Sequence, residues 1–174
     1  MKSKTTSLPE KTKQLLICRH AKSSWRDASL SDIQRPLNKR GERDAPEMGR
    51  RLVRRGIRPD LIMTSPAVRA KTTAELYAAQ LGYPLLRMQI HADQYAAAPS
   101  RLLSLVQALD PGLETVLMVG HNPESTILAN LLGNLGIANI PTSGIVALEF
   151  PVASWGEIAE GTGFLHFFDY PKKI

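Results

Sequence analysis

A three-layer α/β/α sandwich with a mostly parallel central sheet is the fold class that the sequence predicts, and three observations carry it. Short apolar runs of strand length alternate with longer amphipathic segments of helical period along the 174 residues. Leu15-Leu16-Ile17-Cys18 and Val116-Leu117-Met118-Val119 are apolar at every position, the pattern of strands buried on both faces. Turn and cap residues separate the segments, with no internal repeat or low-complexity stretch between them.

Residues 1–13 are polar and lysine-rich around Pro9 and read as a flexible N-terminal tail, which leaves 14–174 as one domain. Gln14-Leu15-Leu16-Ile17-Cys18 is the first strand and delivers Arg19 and His20 to its C-terminal edge. Residues 21–37 form a loop holding Trp25, Asp32 and Arg35-Pro36-Leu37. Asn38 is placed to cap a helix, but Pro46 is expected to break or kink a single long one; a second start there has Asp44 as cap, Pro46 in the first turn and Glu47 three residues after the cap. Ala45, Met48 and Leu52 supply the buried face and Gly56 the stop.

Leu61-Ile62-Met63 is a second strand, after which Ser65 caps and Pro66 opens a helix to about Leu81, with Ala70, Ala74 and Tyr77 inward and Gly82 past its end. Residues 85–90 predict a third strand, and residues 99–109 an amphipathic helix burying Leu102, Leu103, Val106 and Leu109. The buried strand 115–119 turns through Gly120-His121-Asn122-Pro123 into a helix to about Leu132, with Asn122 as cap and Pro123 in the first turn. Residues 144–150 and 164–170 close the sheet, with Trp155-Gly156-Glu157 between them.

An apolar fraction of 43% with ordinary Gly and Pro content excludes disorder across the whole chain. Cys18, the single cysteine, excludes an internal disulfide and a cysteine-rich metal site, and its apolar neighbours point to a buried, inert thiol. The longest apolar runs are strand-sized and the N-terminus lacks a secretory pattern, so a cytoplasmic protein without membrane association is expected. Basic charge is local: residues 35–71 hold 11 Lys or Arg against 4 Asp or Glu, more than the whole chain's net +6. Arg50, Arg51, Arg54 and Arg55 lie along one helix as a solvated stripe or an attractor of acidic or phosphorylated partners. The stripe lacks interleaved aromatics and a reader motif, which argues against nucleic acid.

Open α/β sheets bind ligands beyond the C-terminal ends of their strands, where both His20 and His121 fall. The bland alternative is a pair of polar strand-end residues that satisfy loop hydrogen bonds. A nucleophilic histidine presents one ring nitrogen to its electrophile while the other is held as a donor. Attack on phosphorus also calls for fixed cations, which Arg19 and Arg69 can supply, Arg69 from the first turns of the helix after Ser65-Pro66. His121 is a second phosphate contact or a proton-handling group. No nucleotide-triphosphate loop, dinucleotide fingerprint or Gly-x-Ser-x-Gly elbow is present. His20, His91, His121 and His166 lack tight metal-ligand spacing, and His166 reads as a strand histidine.

Leu16-Ile17-Cys18-Arg19-His20-Ala21-Lys22-Ser23-Ser24-Trp25, Arg35-Pro36-Leu37-Asn38 through Gly41, Thr64-Ser65-Pro66-Ala67-Val68-Arg69-Ala70-Lys71-Thr72 and Val119-Gly120-His121-Asn122-Pro123 occur in that order. With these elements the sequence resembles the histidine phosphatase, or phosphoglycerate-mutase-like, superfamily, and within it the small phosphohistidine phosphatases of the SixA-like branch, over residues 15–171. The resemblance implies a phosphoglycerate-mutase-like fold and a metal-independent phosphatase without a cofactor. It further implies that His20 becomes transiently phosphorylated while Arg19, Arg69 and His121 surround the phosphoryl group.

Ala21 stands where many superfamily members have glycine, as it does in this branch. The acidic insert of larger members is missing, so Asp93 is the candidate general acid, while Glu124 is explained by the first turn of its helix. Imidazole protonated on its far nitrogen leaves without an acid, whereas an alkoxide needs one, which favours a phosphohistidine-bearing protein as partner. Lys22 and Arg26 are candidate docking contacts for it, together with the 50–55 helix. The alternatives are a phosphatase for a small phosphorylated substrate and a catalytically weak phosphate-binding interaction module.

Overall fold

The computed structural model describes residues 11–173. Within them runs one six-stranded sheet: β1 (Lys13–Arg19), β2 (Leu61–Thr64), β3 (Gln89–Ile90), β4 (Thr115–Gly120), β5 (Ile145–Phe150) and β6 (Phe164–Asp169). The order across the sheet is β3-β2-β4-β1-β5-β6. The pairs β1–β4, β2–β4 and β2–β3 are parallel, whereas β5 runs antiparallel to both β1 and β6. Only β5 therefore points against the rest, as a mostly parallel sheet requires. β1 and β4 sit side by side at the centre in register, Arg19 opposite Gly120, so that His20 and His121 leave the same edge.

Two helices pack on each face. α1 (Lys39–Arg54) and α2 (Val68–Leu81) cover one side, their Ala45, Met48, Leu52, Ala74 and Tyr77 packing on Leu16, Cys18 and Leu117. α3 (Pro99–Gln107) and α4 (Glu124–Gly133) cover the other, with Leu102, Val106, Leu128 and Leu132 against Leu15, Ile17 and Met118. Successive side chains of one strand thus feed two separate cores. Leu103 and Leu109 are only partly buried.

Several local expectations are corrected. Lys13, assigned to the tail, is the first residue of β1 and is buried, its Nζ donating to the carbonyls of Pro111 and Leu113. The rest of the expected tail, residues 1–10, lies outside the described residues. α1 does not break at Pro46: it runs unbroken from Asn38, whose side chain accepts from the Gly41 amide at 3.0 Å. An internal proline costs about 3 kcal/mol. Full burial of Met48 and Leu52 returns roughly 1.5–3 kcal/mol each, which offsets it. Asp44 caps nothing and instead binds Arg40 and Arg43.

α2 starts at Val68 rather than Pro66, because Ser65 still belongs to the sheet edge, its amide donating to Val119 O at 3.2 Å. Asn122 does not cap α4; its amide group donates to Asn139 Oδ1 and Ile140 O, and its carbonyl oxygen accepts from Thr126 Oγ1. The third strand shrinks to Gln89–Ile90, since Leu85 and Leu86 are exposed and form a 3-10 turn through Arg87. Gly56 and Gly82 end α1 and α2 with positive φ, as their positions predict.

Candidate active site

β1 ends at Arg19, and the next residue is fixed by its own main chain. The His20 amide donates to Gly120 O at 3.0 Å, and Nδ1 of its ring lies 2.7 Å from Ala21 O. A carbonyl can only accept, so Nδ1 carries the proton and Nε2 keeps its lone pair. Burial, the largest cause, pushes the His20 pKa down to about 3; the charges of His121, Arg69 and Arg19 add to it, against the Ala21 hydrogen bond. The ring is neutral at physiological pH.

Arg69 occupies the first turn of α2, buried, with its guanidinium turned to the sheet edge. Its Nε donates to His20 Nε2 at 3.3 Å, and its Nη2 lies 3.5 Å from His121 Nδ1. Thr73, one turn on, ties helix to strand: its hydroxyl donates to Arg69 O at 2.6 Å and accepts from the Ala21 amide at 2.9 Å. His121 follows β4, its ring centroid 5.1 Å from that of His20 and its Nε2 2.7 Å from Ser65 Oγ. Burial, then the Arg69 charge, pushes its pKa down to about 4.

Arg19 approaches from the neighbouring segment, Nη1 donating to Ile140 O at 2.9 Å. Its Nε is buried without a hydrogen-bond partner among the described residues. Four of the expected site residues thus meet at one edge: Arg69 touches both histidines, and Arg19 lies close enough for its charge to act on them. A buried guanidinium, Arg69, and a half-buried one, Arg19, near a neutral imidazole lone pair suit a tetrahedral oxyanion.

The remaining expectations fare differently. Asp93 lies in the 3-10 turn Ala92–Gln94, where its carboxylate pairs with Arg101. Lys22 and Arg26 line an open groove of about 560 Å³ with Trp25, Lys39, Arg40 and Glu42. Arg50, Arg51 and Arg54 are bound to Glu47, while Arg51 and Arg55 hold Asp169, so two carboxylates offset half of the stripe's four charges within the molecule. Cys18 is fully buried and its thiol pKa is pushed up by burial, as expected of an inert cysteine.

The carboxylate at the site is Asp32, which the sequence places only in a loop. Its Oδ2 accepts from Arg69 Nη2 at 2.9 Å and from the Tyr95 hydroxyl at 2.8 Å, its carbonyl from Arg69 Nη1 at 2.6 Å, and its Oδ1 from Arg35 Nη1 at 2.9 Å. The Tyr95 hydrogen bond foremost, then those of Arg69 and Arg35, hold the Asp32 carboxyl well below the usual carboxylate range. Tyr95 also sets its ring edge-on to His121 at 5.6 Å. The available sequence signal was the Ser31-to-Gln34 spacing of a capping box: the Ser31 amide and hydroxyl both donate to Gln34 Oε1, fixing the turn that carries Asp32.

In sequence and fold the chain is similar to known proteins. Residues 15–93 match the model of the histidine phosphatase superfamily, branch 1. An uncharacterized chloroplastic protein of Arabidopsis thaliana is 31% identical over 154 residues, covering 84% of this chain and 70% of that one. An uncharacterized protein of Mycobacterium tuberculosis is 30% identical over 165 residues, 88% of this chain and 99% of its own. Among solved structures, a SixA-type chain from Nakamurella multipartitia superposes with a TM-score of 0.80 at 21% identity, over 95% of this chain and 99% of that chain. One from Agrobacterium tumefaciens gives 0.79 at 25%, over 91% and 98%. With His20 and His121 at the ends of adjacent central strands and Arg69 between them, this chain belongs to the histidine phosphatase superfamily.

Proposed function

We propose that the protein is a phosphohistidine protein phosphatase acting through a covalent phosphohistidine on His20. The observation that carries this reading is the hydrogen bond from His20 Nδ1 to Ala21 O, which points an unprotonated Nε2 at the guanidinium of Arg69. In the first step Nε2 attacks phosphorus, the bond to the substrate's ring nitrogen breaks, and its electron pair returns to that ring. Water then attacks the His20 phosphoryl group and releases phosphate. Arg69 exchanges its contact with Nε2 for a phosphoryl oxygen, and Arg19, whose charge already acts on both histidines, supplies the second cation.

His121 contacts a phosphoryl oxygen through Nδ1. Ser65 lets it do so, because a hydroxyl both donates and accepts: once it donates to Nε2, the imidazole proton resides on Nδ1. A phosphohistidine substrate is favoured over an alkyl ester by the state of the carboxylate beside Arg69, since Tyr95, Arg69 and Arg35 hold Asp32 ionised. Asp32 is therefore no ready proton donor, and imidazole protonated on its far nitrogen needs none. The groove beside Lys22 and Arg26, with Trp25 exposed on it, is the docking surface for the protein that bears the phosphohistidine.

Phosphate release from a phosphohistidine protein, compared with alkyl phosphates and with His20→Ala, tests the reading. Release from the phosphohistidine protein by the wild type alone is expected; equal background release by both proteins contradicts it. Faster turnover of a small ester would assign a small-molecule phosphatase instead, and phosphate binding without turnover an interaction module.

A further inference from the structure

Asp32 is the open tip of a buried arginine pair. The side chains of Arg35 and Arg69 are 8% and 7% exposed, whereas that of Asp32 is 47% exposed. The guanidinium of Arg69 is a rigid plane with Nε on His20 Nε2, Nη2 on the Asp32 carboxylate and Nη1 on the Asp32 carbonyl, so one guanidinium bridges the carboxylate and the nucleophilic nitrogen. Of its roughly four acceptor sites, three are taken, by Arg35, Arg69 and Tyr95, and Oδ1 retains one.

An ionised carboxylate beside a phosphate site carries a penalty. A phosphoryl dianion held by His20 is repelled by it, unless the rest of the substrate brings positive charge to that side. Phosphohistidine protonated on its far ring nitrogen does so, whereas an alkyl or aryl phosphate does not.

We propose that Asp32 is a specificity-determining residue whose free carboxylate lone pair receives the N–H of a cationic imidazolium leaving group and disfavours uncharged ester groups. This rests on the reading of the protein as a phosphohistidine phosphatase. As the His20 Nε2–P bond forms and the substrate N–P bond breaks, the electron pair returns to the ring, the proton stays on the far nitrogen, and neutral imidazole departs. Asp32 takes no proton; it selects the protonated form of the substrate. The Tyr95 hydroxyl and the two arginines keep it ionised for that role.

The test compares phosphoimidazole with phenyl phosphate as substrates of the wild type, Asp32→Asn and Asp32→Glu. The ratio of the two kcat/KM values is expected to fall about tenfold or more in Asp32→Asn and to recover in part in Asp32→Glu. An equal loss on both substrates would reduce Asp32 to an anchor for Arg69, and an unchanged ratio would overturn the proposal outright. Binding of inorganic phosphate supplies an independent arm: Asp32→Asn should bind it more tightly than the wild type, and weaker binding contradicts the repulsion. If the wild type turned over neither substrate, the phosphatase reading would fall while the phosphate arm still decided the role of Asp32.

Discussion

Arg69 is shared between His20 and Asp32, its Nε donating to the His20 Nε2 at 3.3 Å while its Nη2 meets the Asp32 carboxylate at 2.9 Å. One side chain thereby covers the His20 Nε2 lone pair and is itself held in place by a loop. Arg69→Ala is expected to lower kcat/KM by about 10²–10³-fold, the usual loss on removing one oxyanion donor. Arg69→Lys should recover little, because an ammonium cannot reproduce the two-sided fork. Steady-state kinetics on the phosphohistidine protein provides the measurement.

The two site histidines make stability depend on pH. Their folded-state pKa values of about 3 and about 4 lie below the ordinary value of 6.5. Between those values the unfolded chain binds protons that the folded chain does not, so stability is full above about pH 6.5 and falls as pH falls towards 4. Each histidine contributes a slope of up to about 1.4 kcal/mol per pH unit. Urea unfolding across that interval should show this slope in the wild type and a shallower one in His20→Asn; identical slopes would argue against a neutral, buried His20.

The loop after His20 rests on a glycine. A Cβ at Gly41 would lie 2.3 Å from Lys22 O, backbone against backbone at the start of α1. Gly41→Ala should cost on the order of 1–3 kcal/mol and, because Lys22 is two residues from His20, should lower kcat as well. Thermal unfolding and kinetics on one preparation would show whether the losses occur together.

Thr73 is the tie between helix and strand, bonded to both Arg69 O and the Ala21 amide. Thr73→Val keeps the shape and leaves the buried Ala21 amide without its acceptor, at a cost of about 1–3 kcal/mol. Activity should fall further than the population of folded protein explains, since the Ala21 peptide also supplies the carbonyl that fixes the His20 tautomer.

Much of this site is legible in the sequence because its parts are set locally. His20 and His121 follow all-apolar runs, so their place at the C-terminal edge of β1 and β4 needs only strand length and parallel pairing. Arg69 is legible for the same reason, one turn beyond Ser65-Pro66, even though α2 begins two residues later than the helix signals place it. Asp32 and Tyr95 are not: their approach to Arg69 depends on the paths of residues 21–37 and 91–98, fixed by contacts such as Arg35 Nε to Ser24 O and Tyr95 to Asp32 across the mouth. Pro46 misled for a physical reason, the outweighing of its helix penalty by burial of Met48 and Leu52.

In the basic stripe, pairing within the molecule gives part of the charge a structural task. Arg51 donates to Asp169 and to the carbonyls of Tyr170 and Pro171, so this part of the helix fastens the C-terminal segment. Charge-reversal at Arg51 should therefore lower thermal stability, whereas reversal at Arg26 in the groove should leave stability unchanged and raise KM for a phosphohistidine protein. Tm and KM measured for the two variants separate the surfaces.

Phosphoryl transfer to His20 is the central claim, and rapid quench into alkali followed by peptide mass analysis tests it most directly. With a phosphohistidine protein as donor, the wild type should carry one phosphoryl group on the peptide containing His20, transiently and in a burst no larger than the enzyme concentration. His20→Asn should carry none. Phosphate released at wild-type rate with no label on that peptide, or label retained in His20→Asn, would contradict the account.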